Sequence, residues 1–159
     1  MRFLSLRFWL CPISLVSLAL PFLAAQSPVA PNLPSPTGDW NTIDDATGKS
    51  KSIVEIREEN GKLYGTIEKL FDPPVPHPTC YLCSGAMKDR PLVGLQVLWG
   101  FKQSGGQWSG GQVLDPETGK IYRASLSLED GGKKLRLHGY VGVPLFGRTQ
   151  HWQRVESSF

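Results

Sequence analysis

The feature that most constrains this chain is an alternation of apolar and polar residues, which begins near Thr37 and continues toward the C-terminus. Val54 and Ile56, for example, would share one face of a strand, while Glu55 and Arg57 would share the other. An amphipathic helix needs apolar residues at a spacing of about 3.6, and no long segment has that spacing. The pattern therefore predicts an all-β fold whose sheet has one dry face.

Glycine-containing turns divide this pattern into eight predicted strands. Two of the turns repeat one sequence, I-D-D-A-T-G-K against L-D-P-E-T-G-K, in which the Asp can bond its own backbone and the Gly supplies a positive φ. Asn60-Gly61 is a strong hairpin signal. The predicted strands are residues 38–43, 52–58, 63–69, 92–101, 107–114, 122–128, 135–141 and 147–155.

These strands must cover their own apolar face, because no long helix is predicted to do so. Closure into an eight-stranded antiparallel up-and-down barrel achieves this and removes the exposed edges. A two-sheet sandwich is the alternative, although sandwiches usually contain crossovers and only the connection at 70–91 is long. The interior of such a barrel is either filled by side chains or holds one small ligand.

The first 25 residues have the pattern of an export signal. Arg2 and Arg7 precede an uncharged apolar run, and the Leu-Ala-Ala at 23–25 offers a cleavage site before Gln26. A membrane anchor is the alternative, but two prolines break the run, which is shorter than the roughly 20 residues that span a bilayer. Cys11 lacks the small preceding residues that lipid attachment requires. We therefore expect an exported protein, periplasmic or extracellular.

The predicted organisation is a signal peptide at 1–25, a Pro-rich tether at 26–36 and a single β-barrel domain at 37–156. Four prolines favour an extended tether. The chain has 17 Lys and Arg against 14 Asp and Glu, and cleavage would remove two of the arginines. The remaining chain has almost no net charge and no basic patch interleaved with aromatic residues. Nucleic acid is therefore not an expected partner, and no integral membrane segment is expected after cleavage.

Five glycine-containing pieces together resemble a family of small exported bacterial proteins, domain-of-unknown-function family 2147. The resemblance spans about residues 37 to 154, and it implies a lipocalin-like barrel while supplying no activity and no catalytic residues. The pieces are G-D-W-N-T-I-D-D at 38–45, G-K-L-Y-G-T-I at 61–67, G-G-Q-V-L-D-P at 110–116, G-G-K-K-L at 131–135 and G-R-T-Q-H-W at 147–152.

Gly38-Asp39-Trp40 also resembles the G-x-W of the first lipocalin strand, where the Trp plugs one end of the barrel and an Arg from a late strand lies across it. Arg148 or Arg154 is the expected partner, and such a contact is worth about 0.5 to 2 kcal/mol. By alternation, Trp152 shares a face of the last strand with both arginines and with Gln150. This polar set either ties the barrel seam together or faces a ligand.

Cys80 and Cys83 are expected to form a structural disulfide, because nearby cysteines usually pair in an oxidising compartment. A redox pair is an alternative, but such pairs open a helix in a βαβ setting. Zinc held by these cysteines and His77 would lack an evident fourth ligand, and Ser84 after Cys83 excludes haem attachment. No metal or other cofactor is expected.

No catalytic motif is present, and carboxylates in the D-x-x-T-G-K turns are expected to form turns and not an acid–base pair. His138 and His151 are expected to be structural. We therefore expect a non-catalytic barrel that binds a small apolar or amphipathic molecule inside. The alternative is an envelope protein-interaction or structural module with a fully packed core, whose loop at 70–91 contacts a protein or the cell wall. The candidate lining residues are Val54, Ile56, Leu63, Ile67, Val93, Leu95, Val97, Trp99, Tyr122, Leu126 and Leu137.

Overall fold

Eight antiparallel strands, joined in sequence order, close into one barrel in the computed structural model, which describes residues 34–145 and 147–156. The barrel closes where Trp40 and Asn41 of the first strand pair with Arg154 and Gln153 of the last. The predicted up-and-down barrel is therefore confirmed, and the sandwich alternative is wrong. The strands are β1 (Gly38–Ile43), β2 (Ser50–Glu59), β3 (Lys62–Leu70), β4 (Gln96–Ser104), β5 (Gln107–Asp115), β6 (Lys120–Glu129), β7 (Lys134–Tyr140) and β8 (Gly147–Arg154).

The predicted export signal at 1–25 and the tether up to residue 33 lie outside the described residues. Within the described ranges, helical structure is limited to two short 3-10 turns, Gly85–Met87 and Asp130–Gly132. No helix in this part of the chain is long and apolar enough to cross a membrane.

Seven strands lie within about two residues of their predicted positions, whereas β4 differs in start and register. It begins at Gln96 and not at Leu92, and its pairing with β3 shifts twice. Gly94 and Gly100 have φ of 84° and 80°, which L side chains rarely adopt, so both interrupt the simple alternation. The prediction that Val93, Leu95, Val97, Trp99 and Phe101 share one inward face is therefore wrong for two of its members, Val93 and Trp99.

Large side chains fill the inside of the barrel by lying over glycines of neighbouring strands. A Cβ added at Gly111 would fall 2.3 Å from the ring of Phe101, and one added at Gly65 would fall 2.8 Å from Leu98. Phe101 and Leu98 are at most 1% exposed as a result. Glycine is needed at both positions because any side chain there would displace the core.

The connections divide between two ends of the barrel. The β2–β3, β4–β5 and β6–β7 hairpins lie at one end, where the chain also enters β1 and leaves β8; we call this the closed end. The β1–β2, β3–β4, β5–β6 and β7–β8 connections lie at the other, which we call the loop end.

The β3–β4 connection is the longest and carries the disulfide. Cys80 and Cys83 are bonded, with their Cα atoms 5.3 Å apart, which confirms the expected pairing. The Sγ of Cys80 lies 3.7 Å from the carbonyl oxygen of Pro116, so the connection packs against the β5–β6 turn. Leu114 belongs to the outer face by alternation yet is only 2% exposed, and it is a member of the buried apolar cluster that also contains the two cysteines.

Candidate functional sites: the barrel interior and its two ends

Eight of the eleven candidate lining residues are buried in one apolar cluster. Accessible surface includes the walls of internal cavities, so a ligand-sized space would leave its lining residues partly exposed. Each of these eight is instead between 1% and 4% exposed. The eight are Val54, Ile56, Leu63, Ile67, Leu95, Val97, Leu126 and Leu137.

The other three candidates differ in position. Tyr122 is half-buried, and it shares the inward face of β6 with buried Ala124. Val93 lies before β4 and is 52% exposed, so it does not line the interior. Trp99 follows inward-facing Leu98 and lies on the outer face, where its Nε1 donates to Oε1 of Gln112 at 2.9 Å. The expectation that Val93 and Trp99 line the barrel is therefore wrong.

Two concavities formed by the described residues lie on the outer surface. One of about 330 Å³ is bounded by Glu55, Arg57, Glu59, Tyr64, Thr66 and Gln96 of β2, β3 and β4. The other, of about 370 Å³, lies at the closed end between the β6–β7 connection and the segment preceding β1. The first is lined mainly by polar groups and the second mainly by apolar ones, and neither is lined by the inward-facing apolar residues of the barrel.

A tryptophan and an arginine seal the closed end. Trp40 has no exposed surface, and its Nε1 donates to the carbonyl of Pro36 at 2.8 Å. The guanidinium carbon of Arg154 lies 4.2 Å from the centre of the Trp40 ring. Gly38 is required beside them, because its φ is 114° and a Cβ there would lie 3.2 Å from Arg154 Nη1. Of the two arginines expected to face Trp40, the structure assigns Arg154.

Arg154 uses its donors to join three segments of the chain. Its Nε donates to Gly132 at 2.7 Å, Nη1 to Thr37 at 2.9 Å and Nη2 to Ser35 at 2.6 Å, each bond reaching a carbonyl oxygen. Desolvation lowers the pKa of Arg154 from its usual value, while the three carbonyl dipoles and the indole face compensate the charge. The plug therefore links the first strand, the last strand and the β6–β7 connection.

Arg148 lies at the opposite, loop end and does not contact Trp40. Its Nε and Nη2 donate to Oδ2 of Asp45 at 3.0 and 2.5 Å, and this pairing raises the pKa of Arg148. Its predicted role as a plug residue is therefore wrong. Trp152 is buried beside Leu135 of β7, and its Nε1 donates to Oε1 of Gln150 at 3.3 Å. The inward face of β8 thus contains a tryptophan and a glutamine that are hydrogen-bonded to each other.

The remaining polar candidates are engaged in local structure. Oδ1 of Asp44 accepts the backbone N–H groups of Ala46 and Thr47, and the Thr47 hydroxyl and N–H bonds lower the pKa of Asp44. Asp115 accepts equivalent bonds in the second turn. His138 Nε2 donates to the carbonyl of Pro144 at 2.8 Å and thereby holds the β7–β8 connection.

A buried polar pair inside the barrel was not expected from the sequence. The hydroxyls of Thr42 on β1 and Ser52 on β2 are 2.7 Å apart, and both residues are under 9% exposed. The same inward alternation that predicts Val54 includes Ser52, so a polar inward position was visible in the pattern. The two hydroxyls are hydrogen-bonded to each other, so this pair does not by itself define a ligand site.

The loop end carries a surface that sequence reasoning also missed. Large apolar side chains are exposed on its β3–β4 and β7–β8 connections and near the start of β6. We call this the apolar end face and define it by Tyr81, Leu82, Ile121, Val141, Val143 and Leu145. Turn chemistry predicts where such connections occur, but it does not predict which of their side chains remain uncovered.

The closed eight-stranded barrel with a Trp and Arg plug defines a lipocalin-like protein. The chain belongs to the family described as "Uncharacterized protein conserved in bacteria (DUF2147)", whose profile matches residues 38–154. It is also similar to a solved structure described as "Protein HP1028 from the human pathogen Helicobacter pylori belongs to the lipocalin family". That likeness has a TM-score of 0.67 and 23% identity, and covers 77% of this chain and 84% of the other. No curated protein matches the chain.

Proposed function

We propose that this chain is an exported, non-catalytic barrel that acts as an interaction module of the bacterial envelope, with recognition on its outer surface. The observation that carries the proposal is the close packing inside the barrel. Phe101 and Leu98 lie against Gly111 and Gly65, and most of the candidate lining residues are at most 4% exposed. A ligand could enter only by displacing side chains that are already well packed.

Two further observations support the export of the chain and its non-catalytic role. The Cys80–Cys83 disulfide and the lipocalin-like fold are compatible with an exported protein, because disulfides persist in oxidising compartments. The carboxylates of Asp44 and Asp115 are engaged in turns, and His138 is bound to a backbone carbonyl. These groups act as structural partners, which favours a non-catalytic role.

A search for an interior ligand tests this function directly. Native mass spectrometry of the protein isolated from its bacterium should give the mass of the bare chain, and titration with palmitate should leave the tryptophan fluorescence unchanged. A bound lipid-like mass, or saturable quenching by palmitate, would overturn the packed interior.

Phe101→Ala supplies the matched positive control. Removing a buried ring leaves an apolar cavity, and such cavities bind benzene. Benzene should therefore raise the melting temperature of Phe101→Ala and leave that of the parent unchanged. Phe101→Leu serves in its place if the alanine variant does not fold, since it removes a smaller volume.

Interior binding of a small apolar or amphipathic molecule is the second candidate function. It is favoured by the lipocalin-like fold, in which the plug seals one end, and by the half-buried inward residues Val113, Tyr122 and Gln150 toward the loop end. Such a ligand would contact these three residues first. Quenching by palmitate that is lost in Tyr122→Ala would select this function over the interaction module.

A further inference from the structure

One row of side chains crosses four strands on the outer face of the barrel. Arg57 of β2 pairs with Tyr64 of β3, which pairs on its other side with Trp99 of β4. Trp99 pairs in turn with Gln112 of β5. Residues paired across neighbouring antiparallel strands have Cβ atoms about 4.5 to 5.5 Å apart. We call these four residues the outer row, in which two aromatic residues lie side by side between an arginine and a glutamine.

Alternation and a hydrogen bond set the orientation of the two aromatic side chains. Tyr64 lies between Leu63 and Gly65, both of which face the interior, and it is half-buried. Trp99 is also half-buried, and its Nε1 donates to Oε1 of Gln112 at 2.9 Å, which restricts rotation of the indole. A side chain that is held in place before binding loses less conformational entropy when a ligand covers it.

The outer row adjoins the concavity of about 330 Å³ on β2, β3 and β4. Tyr64 and Arg57 belong to its lining. Thr66, Gln96 and two glutamates of β2 complete that lining. This volume is at the lower end of the roughly 300 to 1,000 Å³ that is typical of ligand pockets. The concavity therefore brings hydroxyl, amide, carboxylate and guanidinium groups together beside an aromatic ring.

This combination of groups matches the chemistry of a carbohydrate. A sugar ring has faces made of C–H groups and an edge of hydroxyls that both donate and accept hydrogen bonds. The face of an aromatic ring carries partial negative charge and attracts polarised C–H groups. The Gln96 amide and the Thr66 hydroxyl both donate and accept, whereas carboxylates accept and Arg57 donates. An aromatic face and both kinds of hydrogen-bonding group are thus present on one surface.

The charges of the concavity favour an uncharged ligand. Glu55 and Glu59 outnumber Arg57, and Oε2 of Glu55 lies 2.5 Å from Nη2 of Arg57. A nucleic acid or an acidic polysaccharide needs a surplus of cationic groups to neutralise its charges, and this surface has none. An apolar ligand would remove water from the polar lining groups without replacing their hydrogen bonds, which costs free energy.

We propose that the outer row and the adjoining concavity bind a chain of uncharged sugars. One sugar face would lie against Tyr64 or Trp99, and its hydroxyls would bond the polar lining. Neighbouring strands lie about 4.8 Å apart, so the outer row is roughly 14 Å long and offers contacts to more than one sugar ring. The inference rests on the proposed function, since it names the class of partner that would be recognised on the outer surface.

Isothermal titration calorimetry tests the proposal with three uncharged glycans: chitohexaose, cellohexaose and maltohexaose. At least one of them should bind the protein isolated from its bacterium at millimolar concentration. Tyr64→Ala and Trp99→Ala should each weaken that binding roughly tenfold, because each removes an aromatic face from the outer row. Failure of all three glycans to bind, or a Tyr64→Ala variant that binds like the parent, would overturn the proposal.

Tyr81→Ala is the matched control, because it removes an exposed tyrosine from the loop end and should bind the glycan like the parent. Gln96→Ala changes an exposed residue of the concavity, so it should fold like the parent while weakening glycan binding several-fold. This variant keeps the proposal testable if either aromatic variant is unstable. Unchanged binding by Gln96→Ala would contradict the proposal.

Heparin, an acidic polysaccharide, provides the competing outcome. A parent that binds heparin and none of the uncharged glycans, and loses heparin in Arg57→Ala, would replace the uncharged glycan by a polyanion. A lipid-like mass in the native mass spectrum would instead overturn the proposed function without changing the glycan titrations. Absence of glycan binding would leave the packed interior as it is, so the two failures are distinguishable.

Discussion

The two ends of the barrel are built from the same eight strands, yet they are completed in opposite ways. At the closed end, a fully buried Trp40 is covered by Arg154, whose donors reach three backbone carbonyls. At the loop end, charged groups pair with one another and apolar side chains such as Leu145 remain exposed. The difference indicates that the closed end supplies stabilising contacts, whereas the loop end leaves apolar surface uncovered.

Removing the plug should give the largest effect of any single change at either end. Trp40→Ala deletes a fully buried ring and its bond to Pro36, and we expect it to lower the free energy of unfolding by about 3 to 5 kcal/mol. Urea denaturation measures the change. Trp99→Ala, which removes the same residue type from the outer face, is the control and should cost much less. Equal losses for the two variants would show that Trp40 is not the plug.

The two arginines of β8 should respond differently to the same substitution. Arg154→Ala removes the stack on Trp40 and three bonds to carbonyls, and we expect a loss of about 2 to 3 kcal/mol, since bonds from charged groups contribute about 1.5 to 3. Arg148→Ala breaks a largely exposed ion pair with Asp45, and such pairs contribute at most about 1 kcal/mol. Thermal unfolding of both variants compares the ends directly, and a larger loss for Arg148→Ala would reverse the assignment.

The closed end could be anticipated because its G-x-W sequence resembles the first strand of lipocalins. Gly38 and Trp40 belong to this G-x-W sequence in the first strand. Arg148 and Arg154 are the two expected partners of Trp40, and the structure shows Arg154 against its ring. The β1 boundaries were also correct, because the I-D-D-A-T-G-K turn marks the end of that strand. Local turn chemistry and period-two alternation locate the bounds of β1 without any tertiary contact, whereas the contact between Trp40 and Arg154 joins distant residues and follows from the resemblance.

The β4 strand could not be placed in the same way. Val93, Leu95, Val97, Trp99 and Phe101 alternate without a break in the sequence, yet Gly94 and Gly100 adopt positive φ, and the register against β3 shifts at Val97 and Gly100. Glycine inside a strand signals such irregularities, and it was the available warning. The apolar end face was missed for a different reason, since alternation describes strands and does not indicate which loop residues other loops will cover.

Removing the disulfide should cost less than removing either plug residue, and it tests whether the loop end is held independently of the plug. Closing so short a loop restricts the unfolded chain modestly, so Cys80→Ser with Cys83→Ser should lower the free energy of unfolding by only about 2 kcal/mol in the entropic model. The structural consequence should be local, because the N–H of Cys80 donates to Arg90 and that of Leu92 donates to Pro78 within the β3–β4 connection. Those amides should exchange faster in the double variant, while amides of β1 and β8 around Trp40 should keep their protection. Faster exchange at both ends would mean that the two ends are coupled and that the closed end does not stabilise the barrel independently of the loop end.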